Sequence, residues 1–248
     1  MDMDKLPISL GILAWKSGQT LRDSLQTYRQ HNLFDMVSDI TILFQEVTAE
    51  DRQIAEEFHI PFIGERKNIG IGKAFIKLVE HASSEHFVLL EHDWQLIEPQ
   101  DTTRERLTSG LALMEQGFTS VRYRHRAQPG HPHFSFKFKG NELGYYDDWH
   151  ECVAPHLLDA IHWMDPSITF PDKIQKEGDY FVTSSRWGAW TNNPCMLKRE
   201  FCLQHIHPFV GKGADLERRI AYWWPRQNFK VAHGEGLFKH VDLQKYGV

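Results

Sequence analysis

The sequence has little cysteine and no long apolar run. Its three cysteines are Cys152, Cys195 and Cys202, and no two of them have the C-x-x-C spacing of a metal or redox site. An odd number without a pattern indicates free thiols in a reducing compartment and excludes a disulfide framework. No apolar stretch approaches the roughly 20 residues that cross a bilayer, and the N-terminus lacks the basic and apolar regions of a signal peptide. These absences predict a cytoplasmic protein without a transmembrane segment.

An excess of positive charge is also missing. The chain has 28 basic and 33 acidic residues, a net charge of −5 with neutral histidine, which argues against a general nucleic-acid binder. An anionic ligand would therefore need a local basic pocket or a metal ion. The phosphate-binding motif G-x-x-x-x-G-K-[ST] does not occur either. With 41% hydrophobic and 25% charged residues, the sequence fits one globular domain over 1–248.

Strand and helix patterns alternate through the first half of the chain. Apolar or β-branched runs predict strands at 8–14, 39–45, 60–63 and 87–90. Helical spacing predicts helices at 20–30, 48–58 and 71–81, with Thr20 as the first N-cap and a capping box from Thr48 to Asp51. This order is typical of a mainly parallel sheet flanked by helices. Ligands of such sheets bind beyond the carboxyl ends of the strands.

The pattern becomes mixed in the second half. Helices are predicted at 103–115 and 217–224. Alternating or apolar segments predict strands at 120–125, 133–139, 180–183, 195–197 and 229–232. We therefore expect a mixed second half that folds in one body with the first.

Two carboxylates follow the fourth predicted strand. The apolar run Phe87 to Leu90 leads directly into Glu91-His92-Asp93, so a turn at the strand end would let both acids converge. Mg²⁺ and Mn²⁺ prefer carboxylate oxygens and usually keep positions open for substrate phosphates. The pattern is compatible with metal-bound diphosphate chemistry, and also with an acidic strand end that caps a neighbouring helix.

A glycine-bearing segment precedes the third predicted helix. It reads Asn68-Ile69-Gly70-Ile71-Gly72-Lys73-Ala74, and its backbone N–H groups at the helix start would favour an anion. It is not a dinucleotide fingerprint, because the sixth position from Gly70 is Phe75.

In this order and spacing the motifs resemble the GT-A-fold, nucleotide-sugar-dependent glycosyltransferases, most of all the inverting group called family 2. Leu10 to Lys16 resembles the opening strand of that family, with Trp15 where a tyrosine is usual, and Ile42 to Glu46 resembles its strand that ends in an acid. Asn68-x-Gly70 resembles its N-x-G, and Leu89 to Asp93 its D-x-D. The resemblance covers about residues 7–97 and is looser beyond.

The resemblance implies a role for each matching residue in the first half. Trp15 would flank the nucleotide base, and Glu46 would contact the base or ribose. Arg66, Asn68 and Lys73 would lie near the base or diphosphate. Metal and donor contacts would come from the acidic motif: Glu91 at the ribose or metal, His92 among the donor-binding residues, and Asp93 at the metal. Glu91 replaces the first Asp of D-x-D, and its extra methylene could turn a direct metal contact into a water-bridged one.

The second half holds a further partial match. Gly211 to Arg219 resembles the acid pair that precedes the L-x-x-R helix of the family, with Ala214 in place of the first acid. Asp215 would then be the general base that inverting transfer requires, with Glu217 as its rival. Both acids are also compatible with a helix start stabilised by its dipole. His240 is the candidate for the C-terminal histidine that related enzymes bring to the metal or diphosphate.

Tryptophan, histidine and arginine leave questions open. Six of the eight tryptophans lie in the second half, as core or as an aromatic wall for the acceptor. Arg122, Arg124 and Arg126 alternate on one strand, where they would meet an anionic group or form a solvated face. The H-x-H pairs are metal ligands or chance pairs among the 15 histidines, and they comprise His131 with His133 and His205 with His207.

The sequence thus predicts a single GT-A-like domain, with a nucleotide-sugar-binding half at about 1–97 and an acceptor-binding half at about 98–248. We expect transfer of a sugar from a UDP-sugar, with Mn²⁺ or Mg²⁺ and with inversion, to the hydroxyl of a glycan or other acceptor. The alternatives are a nucleotidyltransferase, a metallohydrolase that uses histidines and carboxylates, and a catalytically inactive carbohydrate-binding protein. The first is disfavoured because Trp15 to Gly18 replaces its glycine-rich first loop.

Overall fold

One large mixed sheet organises the computed structural model, which describes residues 4–126, 137–138, 141–142, 158, 165–211 and 216–241. The strands in these ranges are β1 Leu6–Trp15, β2 Val37–Gln45, β3 Phe62–Gly64, β4 His86–Glu91, β5 Trp94–Leu96, β6 Ser120–Arg124, β7 Lys137–Phe138, β8 Asn141–Glu142, β9 Gln175–Glu177, β10 Tyr180–Ser184, β11 Cys195–Lys198 and β12 Lys230–His240. The α-helices are α1 Gly18–Gln30, α2 Leu33–Met36, α3 Ala49–Phe58, α4 Ile71–His81, α5 Gln100–Glu115, α6 Pro166–Thr169, α7 Arg199–Phe201 and α8 Leu216–Ile220. Single-turn π and 3₁₀ segments lie at Cys202–Ile206, His207–Phe209 and Trp224–Arg226.

The sheet has the strand order β3-β2-β1-β4-β11-β6-β12-β10-β9, with β5 paired to β12, and β7 and β8 form a separate hairpin. Strands β3, β2, β1 and β4 are parallel. The antiparallel strand β11 joins β4 to β6, and β6 runs parallel to β12. The carboxyl ends of β1, β2, β4, β6 and β12 therefore meet at one edge. The predicted α/β fold is confirmed, and the sheet extends across both halves of the sequence.

Two apolar layers cover the faces of the sheet. One buries α1, α2, α3 and α5 against residues such as Leu10, Ile12 and Leu90. The other buries α4, α8 and the helical turns after β11 against residues such as Leu89 and Leu197. Because both faces are covered, the central strands β1 and β4 are apolar almost throughout, as expected for a buried parallel sheet.

Local sequence signals match several of the helices. Helix α4 spans the predicted 71–81. Helix α3 begins with the predicted capping box, in which the Thr48 hydroxyl accepts from the Asp51 N–H and the Asp51 carboxylate accepts from the Thr48 N–H. Thr20 is not an N-cap, because α1 already begins at Gly18 after Ser17. The helix predicted at 217–224 ends at Ile220, since Pro225 lacks an N–H and would clash with the preceding turn.

The final strand is longer than predicted and irregular. Strand β12 pairs with β6 up to His233, and the pairing resumes only at Phe238. Gly236 permits this bulge with a φ of +93°, and a Cβ there would lie 2.2 Å from the Arg124 carbonyl oxygen. The bulge bends β12 so that its last residues pair with β5 and place His240 opposite Trp94.

Strand β6 has no solvated face. Arg122, Arg124 and Arg126 are only 3%, 6% and 8% exposed, so the alternative of a solvent-facing arginine row is wrong. The predicted tryptophan wall is also wrong for Trp190 and Trp224, which are buried in the core and contact each other edge to face. Trp149 and Trp163 lie outside the described residues.

Cys195 and Cys202 are buried free thiols, as the sequence predicts, and Cys152 lies outside the described residues. Within the described ranges, no helix has both the length and the apolar character to cross a membrane.

Candidate functional site

Side chains from β1, β2 and the loop before α4 meet at the carboxyl edge of the sheet. The half-exposed Trp15 indole donates its Nε1–H to Glu46 Oε2 at 3.1 Å. Lys16 Nζ lies 3.1 Å from the same oxygen and 5.0 Å from the centre of the Trp15 ring. The structure therefore brings the predicted base-binding residues Trp15 and Glu46 together and adds Lys16 to them.

The backbone at these two strand ends is unusual. Lys16 and Glu46, which directly follow β1 and β2, have φ values of +49° and +56°. Non-glycine residues in this region carry strain that is commonly found at functional sites. An open cavity of about 450 Å³ lies beside them, lined by Lys16 to Gln19, Glu46, Thr48, Glu50 and Asp51. Hydrogen bonds from Trp15 and then Lys16 hold the pKa of the Glu46 carboxyl below its usual value, so that the group stays ionised.

A buried glutamine fixes the loop that carries Asn68. Gln45 is 5% exposed, and its Oε1 accepts the N–H groups of Ile69 at 2.8 Å and Gly70 at 3.0 Å. The Asn68 Oδ1 accepts from the same Gly70 N–H at 2.8 Å. Gln45 is not among the site residues predicted from the sequence, although a polar residue that ends an apolar strand at the carboxyl edge of a sheet is a recognisable signal.

The second group of site residues is centred on Asp93. A turn at His92–Asp93 connects β4 to β5, and the His92 N–H donates to the Leu13 carbonyl at 3.0 Å. The pairing of β5 with β12 brings His240 to this turn, where its Nε2 lies 3.1 Å from Asp93 Oδ2. Asp93 and His240, two of the three residues predicted as metal ligands, are therefore in direct contact although they lie far apart in the sequence.

The environment of Asp93 favours a cation. Burial raises the pKa of its carboxyl, but the hydrogen bond from His240 and the charges of His240 and His92 outweigh burial, so the net pKa lies below the usual value. Its second oxygen, Oδ1, is buried without a hydrogen-bond partner. Leaving a carboxylate oxygen unsatisfied is costly, and a divalent cation would satisfy it. The side chains of Asp93 and His240 are thus of the kind that could hold a divalent cation, provided that other groups, such as substrate phosphates, supplied the remaining ligands.

The other predicted residues are distributed around these two groups. Glu91 ends β4 and is partly exposed. Arg66 and Lys73 are exposed on the loop before α4 and on its first turn. Asp215 lies outside the described residues. Glu217 lies in α8, where its Oε1 accepts the backbone N–H of Asn192 at 2.7 Å.

The histidine pairs form no metal centre in the part of the chain that is described. No group of three or more His, Cys, Asp or Glu side chains that could hold a metal occurs there. His205 is exposed and its ring packs against Phe201 and Trp223, with centroids 5.0 and 6.4 Å apart. His131 and His133 lie outside the described residues.

Comparison with solved structures identifies the fold. Over 96% of its length the chain is similar to S. aureus TarS 1–349, with a TM-score of 0.58 and 12% identity. It is similar to the mannosyltransferase PcManGT from Pyrobaculum calidifontis over 94% of its length, with a TM-score of 0.53 and 10% identity. It is similar to glucosyl-3-phosphoglycerate synthase from Mycobacterium tuberculosis over 97%, with a TM-score of 0.52 and 14% identity.

These neighbours are GT-A glycosyltransferases, and the chain has the GT-A fold. It spans 61% of TarS 1–349, 58% of PcManGT and 74% of the mycobacterial synthase. No protein-family model and no curated protein sequence matches the chain. The resemblance inferred from the sequence is thereby confirmed at the level of the fold.

Proposed function

We propose that this protein is a glycosyltransferase that moves a sugar from a UDP-sugar to an acceptor hydroxyl, with Mn²⁺ or Mg²⁺ and with inversion. The observation that carries the proposal is the Asp93–His240 pair, at 3.1 Å, with a buried unpartnered oxygen on Asp93 at the carboxyl edge of a GT-A sheet. The neighbouring structures support it: the mycobacterial synthase was crystallised with Mn²⁺ and UDP, PcManGT with GDP-Man and Mn²⁺, and TarS with UDP-GlcNAc.

Asp93 and His240 would hold the metal, with Glu91 beside them directly or through water. The cation, when bound, would supply charge stabilisation for the departing diphosphate. The protein itself keeps Asp93 ionised through its contact with His240, whose hydrogen bond and charge lower the pKa of the carboxyl. The contact between the His240 and Trp94 rings, with centroids 4.9 Å apart, fixes the orientation of the imidazole.

The Trp15–Glu46 pair would bind the nucleoside. The exposed indole offers a flat face for the base, and the ionised Glu46 carboxylate offers acceptors for ribose hydroxyls. Asn68 lies on the loop anchored to Gln45, close to this pair, and would contact the base or diphosphate. Arg66 and Lys73 would add positive charge near the diphosphate. His92, in the turn that follows β4, would also contact the donor.

Inversion needs one carboxylate near the acceptor. We propose Asp215 as the group that takes the proton from the acceptor hydroxyl. The hydroxyl oxygen attacks the anomeric carbon at the same time, and the bond from that carbon to the diphosphate breaks. Glu217 remains the alternative candidate for this general base. Its Oε1 is bonded to the Asn192 N–H, which favours an anchoring role for this side chain.

Thermal shift with UDP, with and without Mn²⁺, tests donor binding, and release of UDP from a panel of UDP-sugars tests turnover without a known acceptor. Asp93→Asn should abolish the Mn²⁺-dependent part of the shift, whereas Asp101→Asn, an exposed acid on α5, should not. Asp215→Asn should preserve UDP binding and abolish transfer. Absence of a shift with any nucleoside diphosphate would refute the proposal, and binding without UDP release would favour the inactive carbohydrate-binding alternative.

A further inference from the structure

Helix α1 packs against β5, the strand that directly follows Asp93. The buried residues Leu21, Leu25 and Tyr28 recur at helical spacing on this helix. They lie in the same apolar core as Leu96 of β5. Packing explains the two leucines and the aromatic ring, but it does not explain a hydroxyl group at this position.

The Tyr28 hydroxyl is bonded to the backbone next to Asp93. Tyr28 is fully buried, and its hydroxyl donates to the Trp94 carbonyl oxygen. Because a buried hydroxyl without a partner is costly, this bond favours one position of the Trp94 carbonyl relative to α1. Burial, and then the charge of Asp93, raise the pKa of the phenol above its ordinary value, so the group keeps the proton that it donates.

Trp94 is connected to both members of the Asp93–His240 pair. It follows Asp93 in the sequence and lies opposite His240 where β5 pairs with β12. Its ring contacts the His240 ring edge to face, with centroids 4.9 Å apart. The Val241 N–H donates to the Asp93 carbonyl at 2.9 Å and closes the connection from the other strand. A shift of the Trp94 backbone would therefore disturb both side chains of the pair.

The same face of α1 also contacts β12. The Tyr28 ring packs edge to face on Phe238, with centroids 5.9 Å apart. Phe238 lies two residues before His240 and opposite Leu96, whose N–H donates to the Thr27 hydroxyl at 3.0 Å. One side of α1 thus holds both the strand that follows Asp93 and the strand that ends at His240.

We propose that Tyr28 is a positioning residue that keeps the Asp93 carboxylate and the His240 imidazole in contact; this inference rests on the proposed function. The hydroxyl fixes the Trp94 carbonyl, and the ring fixes Phe238. The two side chains that would hold the divalent cation are therefore arranged before it binds. Residues that orient metal ligands from behind commonly contribute about 10- to 100-fold to metal affinity.

Tyr28→Phe tests the proposal, because it keeps the ring and removes only the hydroxyl that bonds to the Trp94 carbonyl. Thermal shifts of the full chain with UDP are measured over a range of Mn²⁺ concentrations. The Mn²⁺ concentration that gives half of the stabilisation by UDP should rise about tenfold in this variant. A purely structural role would lower the melting temperature without UDP but leave this concentration unchanged, and that result would overturn the proposal.

Thr183→Val is the matched control. The Thr183 hydroxyl also donates to a backbone carbonyl, that of Lys173 at 2.6 Å. Thr183 lies opposite Val231, at the end of β12 that is remote from His240. Both variants should lose about 0.5–1.5 kcal/mol of stability, but only Tyr28→Phe should change the Mn²⁺ concentration. An equal change in Thr183→Val would show a general loss of stability and overturn the proposal.

Hydrogen exchange of the metal-free protein is a second measurement. Tyr28→Phe should speed exchange of the Val241 N–H roughly two- to tenfold, because this group bonds to the Asp93 carbonyl, and Thr183→Val should not. Equal rates in the parent and in Tyr28→Phe would overturn the proposal. If the parent shows no Mn²⁺-dependent stabilisation by UDP, the proposed function fails, and faster Val241 exchange in Tyr28→Phe still supports Tyr28 as the residue that positions the pair.

Discussion

Replacing Gln45 by methionine is expected to loosen the loop that carries Asn68. Methionine keeps the length of the side chain but removes the Oε1 that accepts the N–H groups of Ile69 and Gly70. Only the Ile69 N–H loses its acceptor, because Gly70 keeps the Asn68 Oδ1 at 2.8 Å. An unsatisfied, partly buried donor costs about 1–3 kcal/mol, so the free energy of unfolding should fall by that amount, as measured by equilibrium denaturation in urea.

Gln45→Glu is the matched control, because a carboxylate retains the acceptor oxygens. It should recover most of the lost stability. Under the proposed function, Gln45→Met should also weaken binding of UDP several-fold, since Asn68 is no longer held near the donor. A Gln45→Met variant that unfolds within about 0.5 kcal/mol of the parent, the ordinary range for surface changes, would refute the reasoning.

A double variant tests whether Gly70 shares its two acceptors. In Gln45→Met and in Asn68→Ala the Gly70 N–H keeps one acceptor, but in the double variant it has neither. The double variant should therefore lose about 1 kcal/mol more than the sum of the single losses. Strict additivity would show that Asn68 and Gln45 do not compensate for each other.

Three further changes have expected outcomes. Burial lowers the pKa of the His86 imidazole below its ordinary value, so the unfolded chain binds the proton more readily than the folded one. The free energy of unfolding should therefore be highest above about pH 6.5 and decline as the pH falls below that value. His86→Phe should reduce this pH dependence, as measured by urea unfolding at several pH values. Gly236→Ala should lower the free energy of unfolding by at least ~2 kcal/mol, because the new Cβ would clash with the Arg124 carbonyl oxygen. Gly178→Ala is the control: Gly178 also has a positive φ but open space around it, so the loss in the same assay should be only about 1 kcal/mol. Trp15→Phe keeps an aromatic face but loses the bond to Glu46, so titration should show UDP affinity reduced about two- to tenfold; an unchanged affinity would exclude a role for that bond.

The sequence predicts the first half of the fold well because its signals are local. The Thr48 capping box and the apolar face of α4 depend on residues within a few positions of each other. Thr20 is not the N-cap because α1 begins at Gly18, so that Ser17 precedes the first turn and Thr20 lies inside the helix. Local propensity does not define the first residue of a helix to within one or two positions.

Long-range features were harder to predict. The contact between Asp93 and His240 requires the bulge in β12, whose position depends on the packing of Gly236 against the end of β6. The sequence suggested both residues through resemblance, but periodicity did not place them together. Likewise, the burial of Trp190 and Trp224 depends on how the turns after α8 close over the sheet, and a tryptophan count cannot distinguish a core from a binding wall.

The carboxylate of Asp93 leads to one more prediction, because its Oδ1 is buried without a hydrogen-bond partner. Under the proposed function, a divalent cation would satisfy this oxygen before an anionic diphosphate approaches. Removing divalent cations with a chelator should therefore abolish the stabilisation by UDP, and an excess of Mn²⁺ should restore it. Calorimetric titrations with UDP in EDTA and in Mn²⁺ measure the effect. An affinity for UDP that is the same in both would show that the donor binds without a metal.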